Sequence, residues 1–464
     1  MLDNKRIALF GGSFDPPTSA HREIVAEAAQ SFDEVVVVPC GPRPDKLTVN
    51  NIPSIHRAVM VDMTFADIPN VTVDLTDLEL TVFTRTFELV DRYEQVGEVW
   101  LVIGSDLVQG GSEGNSLIQR EWVNGKALWA HTGFLVVSRG GYGFSEEDLP
   151  PRSEVIHQAK YGASSEIRSA VFNRSTVPDG QVVPRVAGYI ERYGLYRGQA
   201  PAINVPVSKI EPRIDLIYDR RNDHLADIVS QLEPYCHPDP NVIVTVGGDG
   251  TMLHAIRSSW RRRLPFIGIN AGHRGFLLNQ PDVLDLDAPF SDLTIWHLPL
   301  LYVETQQEED GPWEGAFAFN DAWVEREEGQ TAWIEVRVND EVRIPRLVCD
   351  GVLVATAAGS TAYAHAMGAP SLPVGVPALL LIGSNVADPP LWKPVVLPLG
   401  ATIQFRSLEN KKRPIRGYMD GEECRSITAM RIRTSRVASV ELAFARDYDV
   451  AEKLSLLQFP QSPP

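Results

Sequence analysis

The sequence is short of cysteine and has no long apolar run. Its four cysteines, Cys40, Cys236, Cys349 and Cys424, lie far apart and form no C-x-x-C pair. This spacing argues against a zinc site and against a disulfide framework. There is no run of about 18 or more apolar residues, and the start M-L-D-N-K-R lacks the apolar stretch of a secretion signal. We therefore expect a soluble, cytoplasmic protein without a membrane partner.

Basic residues are also in short supply. The chain has 43 Lys and Arg against 60 Asp and Glu, which gives a net charge of −17. Nucleic acids require a basic face, so this balance argues against a nucleic-acid partner. An anionic substrate must instead be attracted locally, by N–H groups, individual Arg and Lys side chains and Mg²⁺. A length of 464 residues exceeds one ordinary core and predicts two or three domains.

An apolar strand, a glycine turn and the start of a helix follow one another near the beginning of the chain. Residues 7–21 are I-A-L-F-G-G-S-F-D-P-P-T-S-A-H. Glycine lets the backbone approach a ligand closely, and the N–H groups of a helix N-terminus bind phosphate. Gly-Gly after a strand is weak evidence on its own and favours a plain tight turn. Strand and helix patterns then alternate through the first half, which predicts an α/β fold with a parallel sheet.

The string G-G-S-F-D-P-x-T-x-x-H resembles the opening of the nicotinamide and nicotinate mononucleotide adenylyltransferases. In that family an (H/T)-x-G-H element holds the triphosphate of ATP, and here Ala20 replaces its glycine. The resemblance implies a Rossmann-like nucleotidyltransferase domain over residues 1–197. Its substrates would be ATP and either nicotinamide mononucleotide (NMN) or nicotinate mononucleotide. The residues of this motif that we expect at the site are Gly11, Gly12, Ser13, Phe14, Thr18 and His21.

Three further matches to that family follow in the expected order. Lys46 ends a proline-rich loop that contacts phosphate in the family. Gly104 and Asp106 match its G-x-D, which meets the adenosine ribose, although an Asp beside glycine is also often a helix cap. Trp122 resembles the tryptophan that stacks on the pyridine ring, and a core tryptophan is equally compatible with the sequence.

A hydroxyl-rich helix start completes the first set of motifs. Ser164, Ser165 and Arg168 match the I-S-S-T-x-I-R element of the adenylyltransferases, and Arg139 ends the strand that precedes it. Two hydroxyls and a guanidinium at this spacing can hold one anion. The same pattern also makes an ordinary helix cap.

Residues 198–206 break the periodicity, carry Gly and Pro, and are predicted to be a linker. A new α/β pattern follows, with the turn G-G-D-G-T after a strand at 242–246. As a bare string this is compatible with a simple turn. Further along come G-I-N-A-G at 268–272, Asn320-Asp321, and D-G-V-L-V-A-T-A-A-G-S-T-A-Y at 350–363.

Together these strings are similar to the NAD kinase family. The departures are Arg274 for an apolar Leu, Asp321 for Glu, and Ala357-Ala358 for Pro-Thr. The resemblance implies a kinase domain over residues 207–464, with an α/β lobe to about residue 290 and then an antiparallel β-sandwich lobe. The residues that it places at an NAD and ATP site are Gly247, Gly248, Asp249, Gly250, Thr251, Asn270, Asn320, Asp321, Asp350, Thr356, Ser360, Thr361, Ala362, Tyr363 and Asp420.

The two resemblances imply a bifunctional enzyme of NAD and NADP synthesis. In the first site a mononucleotide phosphate attacks ATP and needs no base, so His21 and the other phosphate-binding groups act by positioning. In the second site a ribose 2′-hydroxyl attacks, and Asp249 is the expected base. Mg²⁺ is expected to enter on the nucleotide phosphates rather than on dedicated protein ligands.

Several alternatives stay open at this stage. The sequence is also compatible with a chain in which only one half is an active enzyme, and with a regulator that binds NAD(P) without turnover. The sequence decides neither the amide or acid form of the mononucleotide nor ATP against polyphosphate as the kinase donor. By analogy with the family we expect a homo-oligomer formed through the kinase half.

Overall fold

A computed structural model describes residues 5–42, 52–139, 145–158, 162–173, 176–272, 275–281 and 290–445. The chain divides into two compact units, Met1–Ala202 and Ile203–Pro464. In the described part of the chain, no helix combines the length and the apolar character needed to span a membrane.

The first unit is built around one parallel sheet. Its strands are β1 (Arg6–Gly12), β2 (Glu34–Pro39), β3 (Val71–Val73), β4 (Glu98–Gly104), β5 (Gly133–Arg139) and β6 (Ser153–Gln158). Its helices are α1 (Ser19–Ala28), α2 (Ser54–Phe65), α3 (Thr76–Leu80), α4 (Thr86–Tyr93), α5 (Leu117–Glu121), α6 (Gly125–His131), α7 (Ser164–Phe172) and α8 (Pro184–Tyr193). The strands lie in the order β3-β2-β1-β4-β5-β6. The predicted parallel sheet is therefore confirmed.

Local sequence explains why this sheet is covered on both faces. In β2, E-V-V-V-V-P, every residue after the first is buried, and continuous burial of a strand is typical of a parallel sheet between helix layers. The last helix, α8, begins with Pro184 at its first position and ends at Gly194 in the left-handed conformation. Both are common helix boundary signals.

The second unit combines parallel and antiparallel strands. Its first strands are β7 (Asn204–Lys209), β8 (Ile214–Tyr218), β9 (Val242–Gly247), β10 (Phe266–Asn270), β11 (Ser291–Gln306) and β12 (Trp313–Ala318). The remaining strands are β13 (Asp321–Arg326), β14 (Ala332–Val338), β15 (Glu341–Cys349), β16 (Gly351–Thr356), β17 (Ala378–Ser384), β18 (Val395–Pro398), β19 (Ile403–Ser407), β20 (Ile415–Met419), β21 (Glu422–Ile427) and β22 (Ala429–Ala445). The helices are α9 (Ala226–Leu232), α10 (Asp249–Ser259) and α11 (Tyr363–Ala366).

These strands form two sheets. The larger has the order β15-β14-β19-β22-β10-β9-β8, with β11 beside β22 and with β7 and β12 beside β11. The smaller is antiparallel, in the order β18-β17-β16-β13-β20-β21. One apolar cluster draws on both sheets, for example Ile334 and Phe405 from the larger and Val352 and Leu381 from the smaller. The expected antiparallel sandwich is thus present, and one continuous sheet also joins it to the parallel strands.

Two details differ from the sequence-based boundaries. The last residues of the segment predicted as a linker, from Asn204, form β7, which pairs with β11. The sequence pattern predicts a helix from about Asn222 to Leu232, and α-helical geometry starts only at Ala226, because a short 3₁₀ turn precedes it. The sequence also predicts turns at Asn339-Asp340 and Asp420-Gly421. Both turns join neighbouring strands and have positive φ at both positions, as a two-residue hairpin requires.

Candidate active sites

The first candidate site lies where the strand order of the first unit reverses. β1 and β4 are parallel neighbours, and the chain moves outward from them in opposite directions, to β3 on one side and to β6 on the other. Ligands of such sheets bind at the carboxyl ends of the strands at this point. β4 ends at Gly104, where a Cβ would lie 2.4 Å from Oδ1 of Asp106. Glycine at this position therefore lets the following carboxylate fold back toward the strand end.

Thr18 and His21 form a reciprocal cap at the start of α1. The Thr18 hydroxyl accepts the backbone N–H of His21 at 3.2 Å, and Nδ1 of His21 accepts the N–H of Thr18 at 3.0 Å. Because a backbone N–H only donates, Nδ1 is unprotonated and a neutral ring carries its proton on Nε2. The His21 ring packs edge-on against Phe14 at 5.2 Å. His21 is thereby oriented with an Nε2–H donor suited to an anion.

The loop between β1 and α1, residues 13–18, is called here the opening loop. Side chains from other helices donate to three of its carbonyl oxygens: Arg57 Nη1 to Ser13 at 3.1 Å, Ser164 Oγ to Pro16 at 2.8 Å, and Arg168 Nη1 to Asp15 at 2.5 Å. The structure therefore brings Ser164 and Arg168 to the opening motif. Their described contacts are with its backbone.

Arg57 is a site residue that the sequence did not reveal. It is 2 % exposed, and its second nitrogen donates to the Cys40 carbonyl at the end of β2 at 2.5 Å. The available signal was weak, because Arg57 lies in α2 among apolar residues that predicted only a core-facing helix. A buried guanidinium among Val and Met side chains must find several acceptors, and the opening loop provides one of them.

The other residues expected at the first site have varied surroundings. Gly11 and Gly12 end β1, and a Cβ on Gly12 would lie 2.9 Å from the Phe14 ring. Asp106 and Ser165 are exposed. Trp122 is partly buried and packs against the core of its unit. Lys46 lies outside the described residues, and Arg139 is described only as the last backbone position of β5.

The second candidate site begins at the carboxyl end of β9. Asp249 is the first residue of α10 and Gly248 is its N-cap. The Asp249 carboxylate accepts the N–H of Phe276 at 3.0 Å and of Leu277 at 2.9 Å, one on each oxygen. These bonds fix the carboxylate and leave each oxygen able to accept another hydrogen bond.

Glycine and asparagine shape the turns around Asp249. A Cβ on Gly247 would lie 2.5 Å from Oγ1 of Thr251, so the turn accepts only glycine there. Gly250 follows Asp249 in α10. On the adjacent strand end, Asn270 accepts the N–H of Gly272 at 3.1 Å. Both strand ends are thus shaped by short side chains or none, as close backbone approach to a phosphate requires.

Asp420 organises a second part of this site. Its carboxylate accepts three backbone N–H groups, those of Phe319 at 2.7 Å, Asn320 at 2.7 Å and Asp321 at 3.2 Å. Burial and the charge of Asp420 raise the pKa of Asp321 to about 7. Burial also raises the pKa of Asp420, while its three N–H donors lower it. Asp420 is therefore the charged member of the pair and Asp321 takes up the proton, because three backbone N–H groups donate to Asp420 and favour its anion.

Thr356 joins the Asn320 turn to the following loop. Its hydroxyl donates to Phe319 O at 2.9 Å and accepts the N–H of Gly359 at 3.0 Å. A Cβ on Gly359 would lie 2.1 Å from Asn320 O. Within the described residues, the buried Oδ1 of Asn320 has no hydrogen-bond partner. This oxygen is therefore a candidate acceptor for a ligand donor.

Several other expected residues already have partners in the protein. Asp350 forms an ion pair with Arg326 at 2.8 Å and accepts Asn385 Nδ2 at 2.7 Å. Ser360 donates to Ala357 O at 2.7 Å and accepts the N–H of Leu372 at 2.8 Å. Thr361 ends a 3₁₀ turn, and Ala362 connects that turn to α11. These contacts within the protein give the loop its shape.

Two aromatic residues beside the predicted Tyr363, Trp323 and Tyr418, were missed from the sequence. Trp323 and Tyr418 stack at 4.9 Å with an interplanar angle of 9°, and Tyr363 lies 5.1 Å from Trp323. Tyr363 is 41 % exposed. The alternation of residues along β13 predicts which face of the sheet Trp323 occupies. It does not predict that β20 pairs with β13 and places Tyr418 beside Trp323.

The two units therefore define a transferase that acts on nucleotides. Each unit has a glycine turn at the carboxyl end of a parallel strand, followed by the N-terminus of a helix. The first turn carries an oriented histidine and the second an oriented carboxylate. Both arrangements suit phosphate binding, and the second adds a group that can accept a proton.

Comparisons with known proteins specify the class. Residues 9–170 match the family model described as cytidylyltransferase-like, residues 198–287 match the ATP-NAD kinase N-terminal domain, and residues 320–442 match its C-terminal domain. The NAD kinase of Rickettsia akari is 34% identical over 253 residues, which are 53% of this chain and 98% of that protein. The NAD kinase of Brucella suis is 34% identical over 234 residues, 50% of this chain and 90% of that protein. A yeast NADH kinase structure aligns with a TM-score of 0.46 at 17% identity, covering 55% of this chain and 90% of that one.

The chain belongs to the NAD kinase family through its second half. Its first half is a cytidylyltransferase-like domain. The predicted combination of a nucleotidyltransferase and an NAD kinase in one chain is confirmed, as is the prediction that the protein is an enzyme.

The Asp321–Asp420 pair makes a prediction about stability. A carboxyl group with a raised pKa in the folded state stabilises the fold at low pH and loses that contribution as pH rises from its unfolded pKa to its folded pKa. For Asp321 this interval runs from about 4 to about 7. We expect Asp321→Asn to melt above wild type by a smaller margin at pH 5, where about one third of this interval has been crossed, than at pH 8. At pH 8 it should be more stable than wild type by about 1 kcal/mol or more.

Thermal melts of both proteins at the two pH values test this prediction. Glu314→Gln, on β12, is a control for a general effect of removing one negative charge. An equal shift for Asp321→Asn at pH 5 and pH 8 would show that Asp321 titrates normally.

Proposed function

We propose that the first unit transfers the adenylyl group of ATP to a pyridine mononucleotide and that the second phosphorylates NAD at the adenosine 2′-hydroxyl to give NADP. The observation that carries this proposal is the pair of independent strand–turn–helix sites, one with His21 capped by Thr18 and one with Asp249 at the start of α10. Each site lies within its own unit. The two reactions are therefore separable by mutation.

In the first site the protein acts by positioning the two reactants. The mononucleotide phosphate is already ionised at neutral pH, so its oxygen attacks the α-phosphorus of ATP while the bond to pyrophosphate breaks, and no base is needed. The α1 N-terminus, Thr18 and His21 hold the triphosphate. Ser164 and Arg168 contribute from α7, where they already support the opening loop.

In the second site a proton must leave the attacking group. Asp249 accepts the proton of the ribose 2′-hydroxyl as the terminal phosphoryl group of the donor moves to that oxygen. Its fixed orientation through Phe276 and Leu277 supports this role. The Asn320 oxygen and the Trp323, Tyr363 and Tyr418 rings are the groups we propose for contacts with NAD.

Mg²⁺ is proposed to enter both sites with the nucleotide. Among the described residues, no three His, Cys, Asp or Glu side chains come together as metal ligands. Phosphate oxygens and water, which Mg²⁺ prefers, would therefore supply most of its coordination. When bound, the ion neutralises charge on the phosphates during transfer.

Two substitutions should separate the activities. Asp249→Asn should lower NADP formation ~10²-fold or more, the range for removing a positioned base, and leave adenylyl transfer intact. His21→Ala should abolish dinucleotide synthesis while NAD added to the assay is still phosphorylated. Both activities are measured on each variant in the full chain, and parallel losses in either variant would reject two independent sites.

The acceptor of the first site is proposed to be NMN. Its product is NAD itself, which the second site uses directly, whereas nicotinate mononucleotide gives a deamido dinucleotide that must first be amidated. NMN and MgATP alone should therefore yield NADP in one reaction, with products separated by chromatography. A parallel reaction with nicotinate mononucleotide is the control. Turnover of the acid with none of NMN would exclude this preference.

We also propose that the protein forms homo-oligomers through its second unit. The edge strand β18 exposes two valines, Val395 and Val396, at 38% and 55%, and unpaired edges with apolar side chains favour association. Light scattering at micromolar concentration should give a mass that is a multiple of the 51.3 kDa chain. A monomeric mass would contradict the proposal.

A further inference from the structure

A buried tyrosine at the end of the first unit reaches the opening loop. The hydroxyl of Tyr196 donates to Oδ1 of Asp15 at 2.6 Å, across 181 positions in sequence. Asp15 is 2 % exposed and Tyr196 is 9% exposed. Within the described residues, Oδ2 of Asp15 has no hydrogen-bond partner. The Tyr196 hydroxyl is thus the hydrogen-bond donor that the structure provides to this buried carboxylate.

Both ends of this contact have unusual backbone geometry. Tyr196 has φ of 63°, and Phe14, which precedes Asp15, has φ of 45°. Residues other than glycine seldom adopt positive φ, and they persist there only when the surrounding structure holds them. Neither position belongs to a two-residue hairpin such as Asp420-Gly421. One residue with positive φ, Tyr196, is therefore the donor of this hydrogen bond, and the other, Phe14, is adjacent to its acceptor Asp15.

Asp15 also lies in the field of two guanidinium groups. Burial raises the pKa of the Asp15 carboxyl, and the Tyr196 hydrogen bond and the positive charges of Arg57 and Arg168 lower it by less. Arg57 and Arg168 each donate to a carbonyl of the opening loop. When it is ionised, the Asp15 carboxylate is therefore the common counter-charge of two side chains that hold this loop.

We propose that Tyr196 is a positioning residue for adenylyl transfer, which fixes the Asp15 carboxylate between Arg57 and Arg168 and thereby fixes the opening loop. This inference rests on the proposed function of the first unit. Tyr196 acts through Asp15 and touches no substrate. Without its hydroxyl, the loop that begins α1 is held less firmly and binds the triphosphate less well.

The test compares two tyrosine variants of the full chain. Tyr196→Phe should lower kcat/KM for adenylyl transfer about 10-fold, mainly through a higher KM for ATP, and leave phosphorylation of added NAD unchanged. Tyr189→Phe is the matched control, since it removes another buried hydroxyl of the same unit, bonded to His56 Nδ1 at 2.8 Å. It should retain wild-type kinetics. Equal kinetics for Tyr196→Phe and wild type would overturn the proposal.

The pH profile separates positioning from a general loss of stability. Removing the Tyr196 hydroxyl removes one contribution that lowers the pKa of Asp15, so Asp15 takes up its proton at higher pH. The acid limb of kcat/KM should therefore move to higher pH in Tyr196→Phe and stay in place in Tyr189→Phe. An unchanged acid limb in Tyr196→Phe counts against the proposal.

Asp15→Asn provides a second variant. If Tyr196 acts through Asp15, the double variant should be no worse than Asp15→Asn alone, and multiplicative losses would overturn the proposal.

Binding of MgATP, measured by calorimetry on wild type, Tyr196→Phe and Tyr189→Phe, makes the result independent of turnover. The second unit is the same in all three proteins, so a difference in affinity between them reports the first unit. We expect weaker binding in Tyr196→Phe only. If wild type binds MgATP but transfers no adenylyl group to either mononucleotide, the proposed reaction is refuted. The affinities for MgATP then test the Tyr196 proposal on their own. Equal affinities in all three proteins would reject it.

Discussion

A loop that leaves the carboxyl end of a parallel strand loses the hydrogen bonds of the sheet, and both units depend on side chains that replace them. Backbone groups left without partners away from water are costly. In the first unit, Arg57, Ser164 and Arg168 take up the carbonyl oxygens of the opening loop. In the second, carboxylates take up the N–H groups instead. The first site thus satisfies loop carbonyl oxygens with side-chain donors, and the second satisfies loop N–H groups with carboxylates.

This difference fits the chemistry that each site must perform. Guanidinium and hydroxyl donors gathered around the opening loop add positive potential where a triphosphate and a mononucleotide phosphate would meet. The second site has a carboxylate, Asp249, at the N-terminus of α10, where an ordinary phosphate site would have only N–H groups. A carboxylate there repels phosphate, and in the proposed reaction it accepts the proton of the ribose hydroxyl. Under that proposal, the contrast between His21 and Asp249 reflects the two nucleophiles.

The sequence predicted those parts of the structure that depend on short segments. The β1–α1 and β9–α10 turns, the helix start at Ser164 and the hairpin turn at Asp420 are each specified by a few neighbouring residues, and their motifs have family counterparts. The contacts of Arg57, Tyr196 and Asp420 could not be predicted, because each joins segments far apart in the chain. The Trp323–Tyr418 stack likewise requires β13 to pair with β20. Alternation predicts the face of the sheet on which a side chain lies, but not which side chain lies beside it.

Strand β22 pairs with strands from both parts of the second unit. Near its start it pairs with β19, near its end it runs parallel to β10, and β11 follows it along most of its length. A single continuous backbone segment is therefore shared by the nucleotide-binding layer and by the sandwich. A slip of one residue along β22 would turn its inward side chains outward in both places at once. The two lobes consequently lose or keep their order together, as one cooperative block rather than as two hinged halves.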